Sequence, residues 1–453
     1  MKKYFSFGLM LIGSMLIYLS GKGQDVPAQY INEALKNNLV LNEKKVSLDK
    51  GLIALKEARS LFLPTTWLET QYTLAKGGRS IDIPVGDLLN PVYKSLNQLT
   101  RTSEFPVISN RSEQLLPNNF YDVRIKTTMP LINPDLKINR DIKQQQISLQ
   151  QNEIDIYKRE LIKEIKTAYY NYLMTGERAR IYQNALQVVG ENLRINQSLL
   201  ANGKGLPAYV SRAESEIKKV ESQLQNSVNE HQNAKAYFNF LLNKSLSDSI
   251  ITAEIALDEK LSSVSVEPDY TISAREELKS LDVSRNINNS LLKMNRSFRT
   301  PRLNAFVDLA SQGFDFTVND KSFFYLGGIQ LQIPIFTGKR NLYKIEQTKL
   351  DAQNIELATQ NTRQQLSLAA FVSRNNTTSA YSNFQAAIKE AESSRKYFKL
   401  IDKGYKEGVN SFIEFLDARN QLTNSELQVN ISKYKTLVAL ADYERQTASY
   451  SFK

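Results

Sequence analysis

The sequence has no cysteine and a single histidine, His231, among 453 residues. The lack of cysteine excludes disulfides and thiol catalysis. A transition-metal site is not expected, because such sites need several histidine or cysteine ligands. No combination of nucleophile and base is visible, so we predict neither enzyme activity nor a cofactor. We expect His231 to pack between helices, because it continues an apolar series with a spacing of seven: Val210, Ile217, Leu224 and Phe238.

Long apolar runs are confined to the start of the chain. Two lysines precede an apolar stretch from Phe5 to Leu19, and small residues follow near Gly23. This order is typical of a secretory signal peptide, which we predict at residues 1–23. The alternative, an uncleaved membrane anchor, would need a longer apolar run. Since no other segment could form a transmembrane helix, membrane insertion of the mature chain would have to use strands.

Charge of one sign is not concentrated anywhere along the chain. The formal net charge is +11, yet acidic and basic residues alternate in segments such as KRELIKEIK at 158–166 and AESEIKKVES at 213–222. Such alternation is typical of solvated helix faces. We therefore expect no nucleic-acid partner.

Two segments of the chain share a helix, glycine turn, helix pattern. The first lies at 193–242, and the second follows about two hundred residues later. A strand-like run with a proline near its end precedes each copy, at 126–134 and at 330–338. Internal duplication determines the architecture, so we predict two structural repeats. Aligned on their glycines, the copies match at five positions: Gly205 with Gly408, Leu206 with Val409, Tyr209 with Phe412, Val210 with Ile413, and Glu214 with Asp417.

Apolar residues in the predicted helices form two series, each with a spacing of seven. In the helix predicted over 28–62, one series is Leu39, Val46 and Ile53, and the other begins two residues later at Leu41. A spacing of seven is characteristic of supercoiled helices. Two series on nearly opposite sides require a neighbour on each side, so we expect a curved array or a closed ring of helices. The other predicted helices span 134–200, 209–243, 273–299, 339–403 and 411–449.

Four segments alternate apolar and polar residues strictly enough to be strands. Each has about the ten residues that a tilted membrane-spanning strand needs. A soluble sandwich with one solvated face would alternate in the same way. Because the smallest membrane barrels have about eight strands, several chains would have to share one barrel. The four segments are 65–75, 120–130, 302–312 and 323–333.

The first two predicted strands are separated by 76–119, a long segment with four prolines. A loop of that length within a compact unit is unusual and is usually functional. The second pair is joined by a much shorter loop near 314–322. We expect both loops to lie on the far side of the membrane from the helices.

Several segments resemble the TolC family of outer-membrane efflux proteins, and the resemblance extends over essentially the whole mature chain. It implies a mixed α and β membrane protein that forms a homotrimer. Each chain would give four strands to a twelve-stranded β-barrel, and a long α-helical barrel would continue this β-barrel through the periplasm. We divide the mature chain into a first repeat at 24–243, a linking segment at 244–270 and a second repeat at 271–453. The segments that carry the resemblance are INEALKNN (31–38), LFLP (61–64), MPLINP (129–134), REELKSLD (275–282), RTP (299–301), IPIFTGKR (333–340) and GVNSFIEFLDARNQLTNSEL (408–427).

The resemblance also implies where a gate would lie. It puts the glycine turns at the periplasmic end of the tunnel, where the family has an acidic ring and a tyrosine that holds the closed state. The family's arginine partner of that tyrosine is replaced by Asn410, so that contact is not expected. Acidic residues near a helix start also offset the helix dipole, which is the alternative explanation for them. The implied gate residues are Glu414, Asp417, Glu214 and Tyr405, and the implied adaptor contacts are Gly205, Leu206, Gly408 and Val409.

These observations predict a passive exit duct in the cell outer membrane, with its helical part in the periplasm of a Gram-negative bacterium. The duct would serve a tripartite efflux or type I secretion system. The expected partners are two further copies of the chain, a periplasmic adaptor (membrane fusion) protein, an inner-membrane pump of the RND or ABC type, and outer-membrane lipid. The alternative is a periplasmic helical scaffold or adaptor without a channel. The cargo stays open, with drugs, metals and polypeptides all compatible.

Overall fold

The computed structural model describes residues 26–253 and 272–451. These residues contain eight α-helices and a short 3-10 turn at Ile272–Ala274. The helices are α1 (Val26–Asn37), α2 (Leu39–Ser60), α3 (Val85–Thr100), α4 (Pro134–Ala201), α5 (Pro207–Leu241), α6 (Glu276–Arg296), α7 (Arg340–Lys406) and α8 (Phe412–Thr447).

The described residues also contain six strands, in two antiparallel sheets. The four long strands begin at the residues where the alternation of the sequence predicts them to begin. They pair in the order β1-β4-β5-β6, which leaves the outer edges of β1 and β6 unpaired within the chain. The two short strands, β2 and β3, pair with each other. The strands are β1 (Thr65–Thr73), β2 (Ser80–Ile83), β3 (Arg111–Gln114), β4 (Phe120–Ile132), β5 (Arg302–Phe314) and β6 (Phe323–Gln332).

The register of the large sheet separates apolar from charged side chains. Leu68 lies beside Ile125, which lies beside Leu309, which lies beside Tyr325. All four side chains are exposed, and Tyr325 is 82% accessible. The neighbouring residues point to the other face, because side chains alternate along a strand. That second face carries Glu69, Asp122, Arg124, Lys126 and Asp308.

The chain divides into two compact units, and each draws on both sequence repeats. The first unit takes its described residues from Met1–Val46, Asn152–Lys279 and Thr359–Lys453. The second consists of Ser47–Gln151 and Ser280–Ala358, and it contains both sheets. The repeats are therefore not separate compact domains.

The longest helices, α4 and α7, have 68 and 67 residues. Neither has an internal proline, and α4 begins with Pro134, whose fixed φ suits the first helical position. Their length exceeds what helix propensity alone sustains, so packing against neighbouring helices must stabilise them. Among the residues that the structure describes, no helix is both long and apolar enough to cross a bilayer.

The helix predicted over 28–62 is in fact two helices, interrupted at Asn38. The Asn38 side chain accepts a hydrogen bond from the backbone N–H of Leu41 at 3.0 Å and donates one to the Leu241 carbonyl at 3.3 Å. Asparagine favours helix starts because its side chain satisfies a backbone donor that has no partner within the helix. Here it ends α1 and starts α2.

The segment 76–119, predicted as a long loop, contains β2, α3 and β3. Asn90 exchanges two hydrogen bonds with the backbone of Ile108, both at 2.9 Å. Asn97 does the same with the backbone of Phe105, at 2.8 and 3.1 Å. The segment is thus an ordered module in which side-chain amides hold α3 to the returning chain.

The main hydrophobic core lies in the first unit, among α1, α4, α5, α7 and α8. Tyr30 meets Phe238 edge to face at 4.9 Å, and Tyr169 packs against both rings. Burial of a side chain such as Phe238 contributes roughly 2–3 kcal/mol. The guanidinium of Arg275, 2% exposed, donates to the carbonyls of Arg445 at 3.3 Å and Gln446 at 2.7 Å in the last turn of α8.

Candidate functional site

Two turns of the same geometry join α4 to α5 and α7 to α8, and both lie in the first unit. In each, a glycine just past the helix end adopts a left-handed conformation, Gly203 with φ +70° and Gly408 with φ +78°. The N–H of Lys204 bonds back to Leu199 at 2.9 Å, and that of Val409 bonds back to Gly404 at 2.7 Å. This is the Schellman arrangement, in which a left-handed glycine satisfies the last carbonyls of a helix.

The glycine alignment of the two repeats is wrong at the first turn. It matches Gly205 with Gly408, whereas the left-handed position is occupied by Gly203. Gly205 serves the turn differently, because a Cβ there would lie 2.7 Å from the backbone nitrogen of Leu200. The first turn therefore requires two glycines, one for its φ angle and one for close backbone approach.

The helices that follow the two turns begin differently. Ser411 caps α8: its hydroxyl accepts from the Glu414 N–H at 3.3 Å, and the Glu414 carboxylate accepts from the Ser411 N–H at 2.6 Å. This reciprocal capping box holds the pKa of Glu414 below its ordinary value. At α5 the cap residue is Leu206, which offers no side-chain acceptor. Glu414 therefore stabilises the start of its own helix. This agrees with the alternative explanation of the acidic residues, in which they offset the helix dipole.

The other predicted acids are solvent-exposed. Asp417 lies on α8 one turn beyond Glu414, and Glu214 lies on α5. The turn residues Leu206 and Val409 are also exposed, at 55% and 78%. The two turns therefore present both charge and apolar surface to solvent.

Tyr405, in the last turn of α7, is half-buried against α4 and α8. Its hydroxyl donates to the Asn196 side-chain oxygen at 3.1 Å. Its ring lies 5.1 Å from that of Phe415 and 6.2 Å from that of Phe412. Burial raises the pKa of the Tyr405 phenol, and hydrogen bonds to Asn196 and Asn192 oppose that rise. Tyr405 therefore joins the second hairpin to the first.

Sequence reasoning missed a buried ion pair between the hairpins. Arg419 of α8 donates to the Glu216 carboxylate of α5 at 3.0 Å, with 4% and 3% of the two residues exposed. Arg212, one turn before Glu216, contacts the other carboxylate oxygen at 3.1 Å. Burial lowers the pKa of the Arg419 guanidinium, and the charge of Glu216 opposes that effect.

A second contact also joins α5 to α8, because the rings of Tyr209 and Phe412 lie 5.3 Å apart. The sequence offers no pattern that marks the ion pair. Glu216 lies in the alternating-charge segment AESEIKKVES at 213–222, which is typical of a solvated helix face.

The C-terminal half of the chain resembles a known protein family. Residues 269–444 match the family described as Outer membrane efflux protein. The chain carries an outer membrane efflux protein domain. The resemblance to TolC-type efflux proteins read from the sequence is thereby confirmed. No curated protein matches the chain in sequence.

Solved structures with a similar fold align along nearly the whole chain. A membrane protein from Pseudomonas aeruginosa has 16% identity and a TM-score of 0.72, with 94% of each chain covered. The CmeC outer membrane channel of Campylobacter jejuni has 14% identity and a TM-score of 0.72, covering 93% of this chain and 85% of that one. The MtrE outer membrane channel of Neisseria gonorrhoeae, in its open state, has 15% identity and a TM-score of 0.71, with 93% and 88% covered. At these identities the likeness establishes the fold.

His231 packs between helices. Its ring stacks on Tyr172 with centroids 4.5 Å apart, and its Nδ1 lies 3.2 Å from both the Thr175 hydroxyl and the Tyr172 carbonyl. Burial lowers the pKa of the imidazole. Among the residues that the structure describes, no group of three or more histidine, aspartate or glutamate side chains is arranged to hold a metal.

Proposed function

We propose that this chain is an outer-membrane channel that forms the exit duct of a tripartite efflux or type I secretion system. A periplasmic adaptor and an inner-membrane pump, of the RND or ABC type, would open it at the glycine turns. The observation that carries the proposal is a four-stranded sheet with one apolar face, one charged face and two unpaired edges, in a chain with an outer membrane efflux protein domain.

The sheet has the chemistry of a membrane wall. The exposed row of Leu68, Ile125, Leu309 and Tyr325 would face lipid, and the face that carries Glu69 and its charged neighbours would face a water-filled lumen. Lipid-facing and lumen-facing residues alternate in this way in membrane barrels. An exposed sheet edge cannot persist in lipid, so β1 and β6 require partners. Three copies give twelve strands, in which β6 of one chain pairs with β1 of the next.

The helices beside these two edges carry open apolar seams. α2 precedes β1 and exposes Leu39, Val46 and Ile53 at a spacing of seven. α7 follows β6 and exposes Tyr343, Leu350 and Leu357, again at a spacing of seven. Such seams pack against helices with the same spacing. We therefore propose that the α2 seam of one copy packs against the α7 seam of the next. This arrangement matches the proposed pairing of β1 with β6, because α2 leads into β1 and α7 follows β6.

Cysteine cross-linking tests this trimer. Ile53 lies about 10 Å along α2 from its end near β1, and Leu350 lies about 15 Å along α7 from its start near β6, at 1.5 Å per residue. Since the chain has no cysteine of its own, the double variant Ile53→Cys/Leu350→Cys should give a covalent trimer in outer-membrane fractions. The control Ile53→Cys/Leu368→Cys places the second thiol about 40 Å down α7 and should give none. A soluble, monomeric chain would instead support the periplasmic scaffold.

For the gate, we propose that three copies bring Asp417 and Glu414 close to the channel axis at the turns. Like charges held together favour cations and oppose complete closure. Glu414 also caps its own helix, so Asp417 would act chiefly on ions, with Glu214 on the first hairpin as a weaker contributor. The double variant Glu414→Ala/Asp417→Ala should change single-channel conductance and relieve blockage by cations. If neither changes, these acids have no gating role.

For the closed state, we propose that the hydrogen bond from Tyr405 to Asn196 holds the second hairpin against α4. Tyr405→Phe keeps the ring contacts and removes the hydroxyl, so it should raise conductance in the absence of an adaptor. The exposed turn residues Leu206 and Val409, with Gly205 and Gly408 shaping the backbone, would then form the adaptor contact. Replacing Leu206 and Val409 with Ser should weaken adaptor cross-linking and leave trimer formation intact.

A further inference from the structure

Helix α3 carries a complete coiled-coil seam. Its apolar residues are separated alternately by four and three positions, the spacing of a heptad repeat: Val85, Leu89, Val92, Leu96 and Leu99. Such a series keeps one narrow stripe of the helix facing a neighbour along its whole length. The stripe spans all of α3, which has 16 residues.

Three residues of this seam are exposed, whereas Val85 and Leu96 are half-buried. Leu99 is 82% exposed, Val92 51% and Leu89 37%. On the side of α3 that faces the returning chain, Asn90 and Asn97 bond to its backbone and the Tyr93 ring lies 5.5 Å from that of Phe105. A surface helix usually turns its apolar stripe inward, whereas much of this stripe is exposed. The four amide hydrogen bonds fix this orientation, so the seam cannot turn inward without breaking them.

The module that holds α3 continues the hairpin formed by β1 and β4. Beyond Thr73 the segments that extend β1 and β4 stay hydrogen-bonded to each other. The N–H of Ala75 donates to the Asn118 side chain at 2.9 Å, and the N–H of Leu115 donates to the Arg79 carbonyl at 2.9 Å. The ribbon of β2 and β3 follows, and α3 begins directly after it. β1 is an edge strand, and in the proposed trimer it borders the next copy. Each α3 is thus attached at a boundary between copies.

We propose that the α3 helices of the three copies pack seam to seam at the end of the sheet opposite α2 and α4. The inference rests on the trimer proposed above. A stripe of five residues on one short helix is far smaller than the roughly 1,200–2,000 Å² that a stable interface buries. The contact therefore forms only where the sheet already holds the copies together at high effective concentration.

The charge of α3 favours a helix of another copy over a lipid surface. Helices that lie on membranes combine an apolar face with a free polar face rich in Lys and Arg. α3 carries one acidic and one basic residue, Asp87 and Lys94, and its polar face is already bound to the returning chain. Its apolar stripe also has the narrow heptad form that a partner helix matches.

Single-cysteine variants of the full-length trimer test the contact. Leu99→Cys and, separately, Val92→Cys place one thiol on the seam, and Gln98→Cys places an exposed thiol on the other side of α3. Upon oxidation in outer-membrane fractions, both seam variants should give a covalent dimer. Because each chain has one thiol and a disulfide joins two thiols, at most two of the three chains in a trimer can be cross-linked. Gln98→Cys should leave the chain monomeric on a denaturing gel.

The outcomes separate this proposal from the proposed function. If Ile53→Cys/Leu350→Cys cross-links into a trimer and neither seam variant exceeds Gln98→Cys, the α3 contact is wrong and the channel proposal stands. A nitroxide label at Leu99 gives a second measurement. Spin–spin broadening between labels in the trimer supports the contact, whereas relaxation by a lipid-soluble quencher would place α3 in the membrane and overturn it.

Discussion

The two hairpins share one turn geometry but differ in what stabilises the helix after the turn. Gly203 and Gly408 adopt the same left-handed conformation and satisfy the same helix-end carbonyls. After the second turn, Ser411 and Glu414 cap α8 from within their own hairpin. After the first turn, Leu206 leaves the start of α5 without a side-chain cap.

This difference makes the first hairpin dependent on the second. Near its start, α5 is fixed by contacts to α8, namely Tyr209 on Phe412 and Glu216 on Arg419. α8 has those contacts and its capping box as well. The two hairpins thus share the backbone turn, and only the second has a side-chain cap after it. We expect α5 to loosen whenever α8 moves.

Breaking the buried ion pair tests that dependence most severely. Arg419→Ala leaves the buried Glu216 carboxylate without its partner on α8, and we expect a loss of about 3–5 kcal/mol in unfolding free energy. Hydrogen exchange should show α5 losing protection before α8. The double variant Glu216→Leu/Arg419→Met should recover most of the stability. Lys218→Ala, which removes only the exposed contact with Glu221, should leave the unfolding free energy nearly unchanged. Equal loss of protection in both hairpins would contradict the dependence.

Glycine substitutions test whether the two turns are equivalent. Gly203→Ala and Gly408→Ala each force a left-handed alanine, so each should cost about 1–2 kcal/mol of unfolding free energy. Gly190→Ala, in the interior of α4 with open space around its Cα, should instead stabilise by about 0.5–1 kcal/mol. A cost at only one of the two turns, measured by chemical denaturation, would show that their geometries are not equivalent.

Exchanging the caps sharpens the comparison. Ser411→Ala removes the hydroxyl that accepts from the Glu414 N–H and should cost about 1 kcal/mol. Leu206→Ser gives α5 the acceptor that it lacks and should stabilise by up to a similar amount. Thermal melting of the helical signal measures both effects. If Leu206→Ser has no effect, the missing cap is not what weakens the start of α5.

The smallest expected effect is a pH dependence confined to the second hairpin. The pKa of Glu414 is lowered in the folded chain, mainly because its carboxylate accepts from the Ser411 N–H. The stabilisation is therefore fully present above the unfolded pKa, near 4.5, and is lost as pH falls through the lower folded value. NMR titration of the Glu414 carboxyl should give a midpoint below 4.5, and Glu414→Gln should remove its contribution. A midpoint at or above 4.5 would contradict the capping box.

The sequence predicts the large sheet and the long helices well because each obeys one period. The strands alternate with a period of two, and all four begin where that alternation begins. The break at Asn38 is hidden because its cause is one side-chain hydrogen bond inside an otherwise continuous heptad pattern. α3 is harder still, because the amides of Asn90 and Asn97 hold it to the chain while much of its apolar seam is exposed, which is not the burial pattern of an ordinary amphipathic helix.

At the site, the sequence identifies both turns but not the role of each glycine. Gly203 and Gly205 both precede α5, and only backbone angles distinguish the left-handed glycine from the closely packed one. The exposed acids Asp417 and Glu214 attract attention because of family resemblance. The acid with the most closely defined environment, Glu216, lies in an ordinary-looking run of alternating charges. Its importance emerges only from the structure, in which Arg419 of α8 donates to its carboxylate.

That pair also has a consequence for how α5 and α8 can separate. Glu216 and Arg419 are both nearly inaccessible to solvent while the two helices are in contact. Moving α8 away would leave Glu216 with only the exposed Arg212 as a partner and would leave the Arg419 guanidinium without a carboxylate. Because a buried charge without its partner is strongly unfavourable, any movement that parts these helices must admit water to both groups.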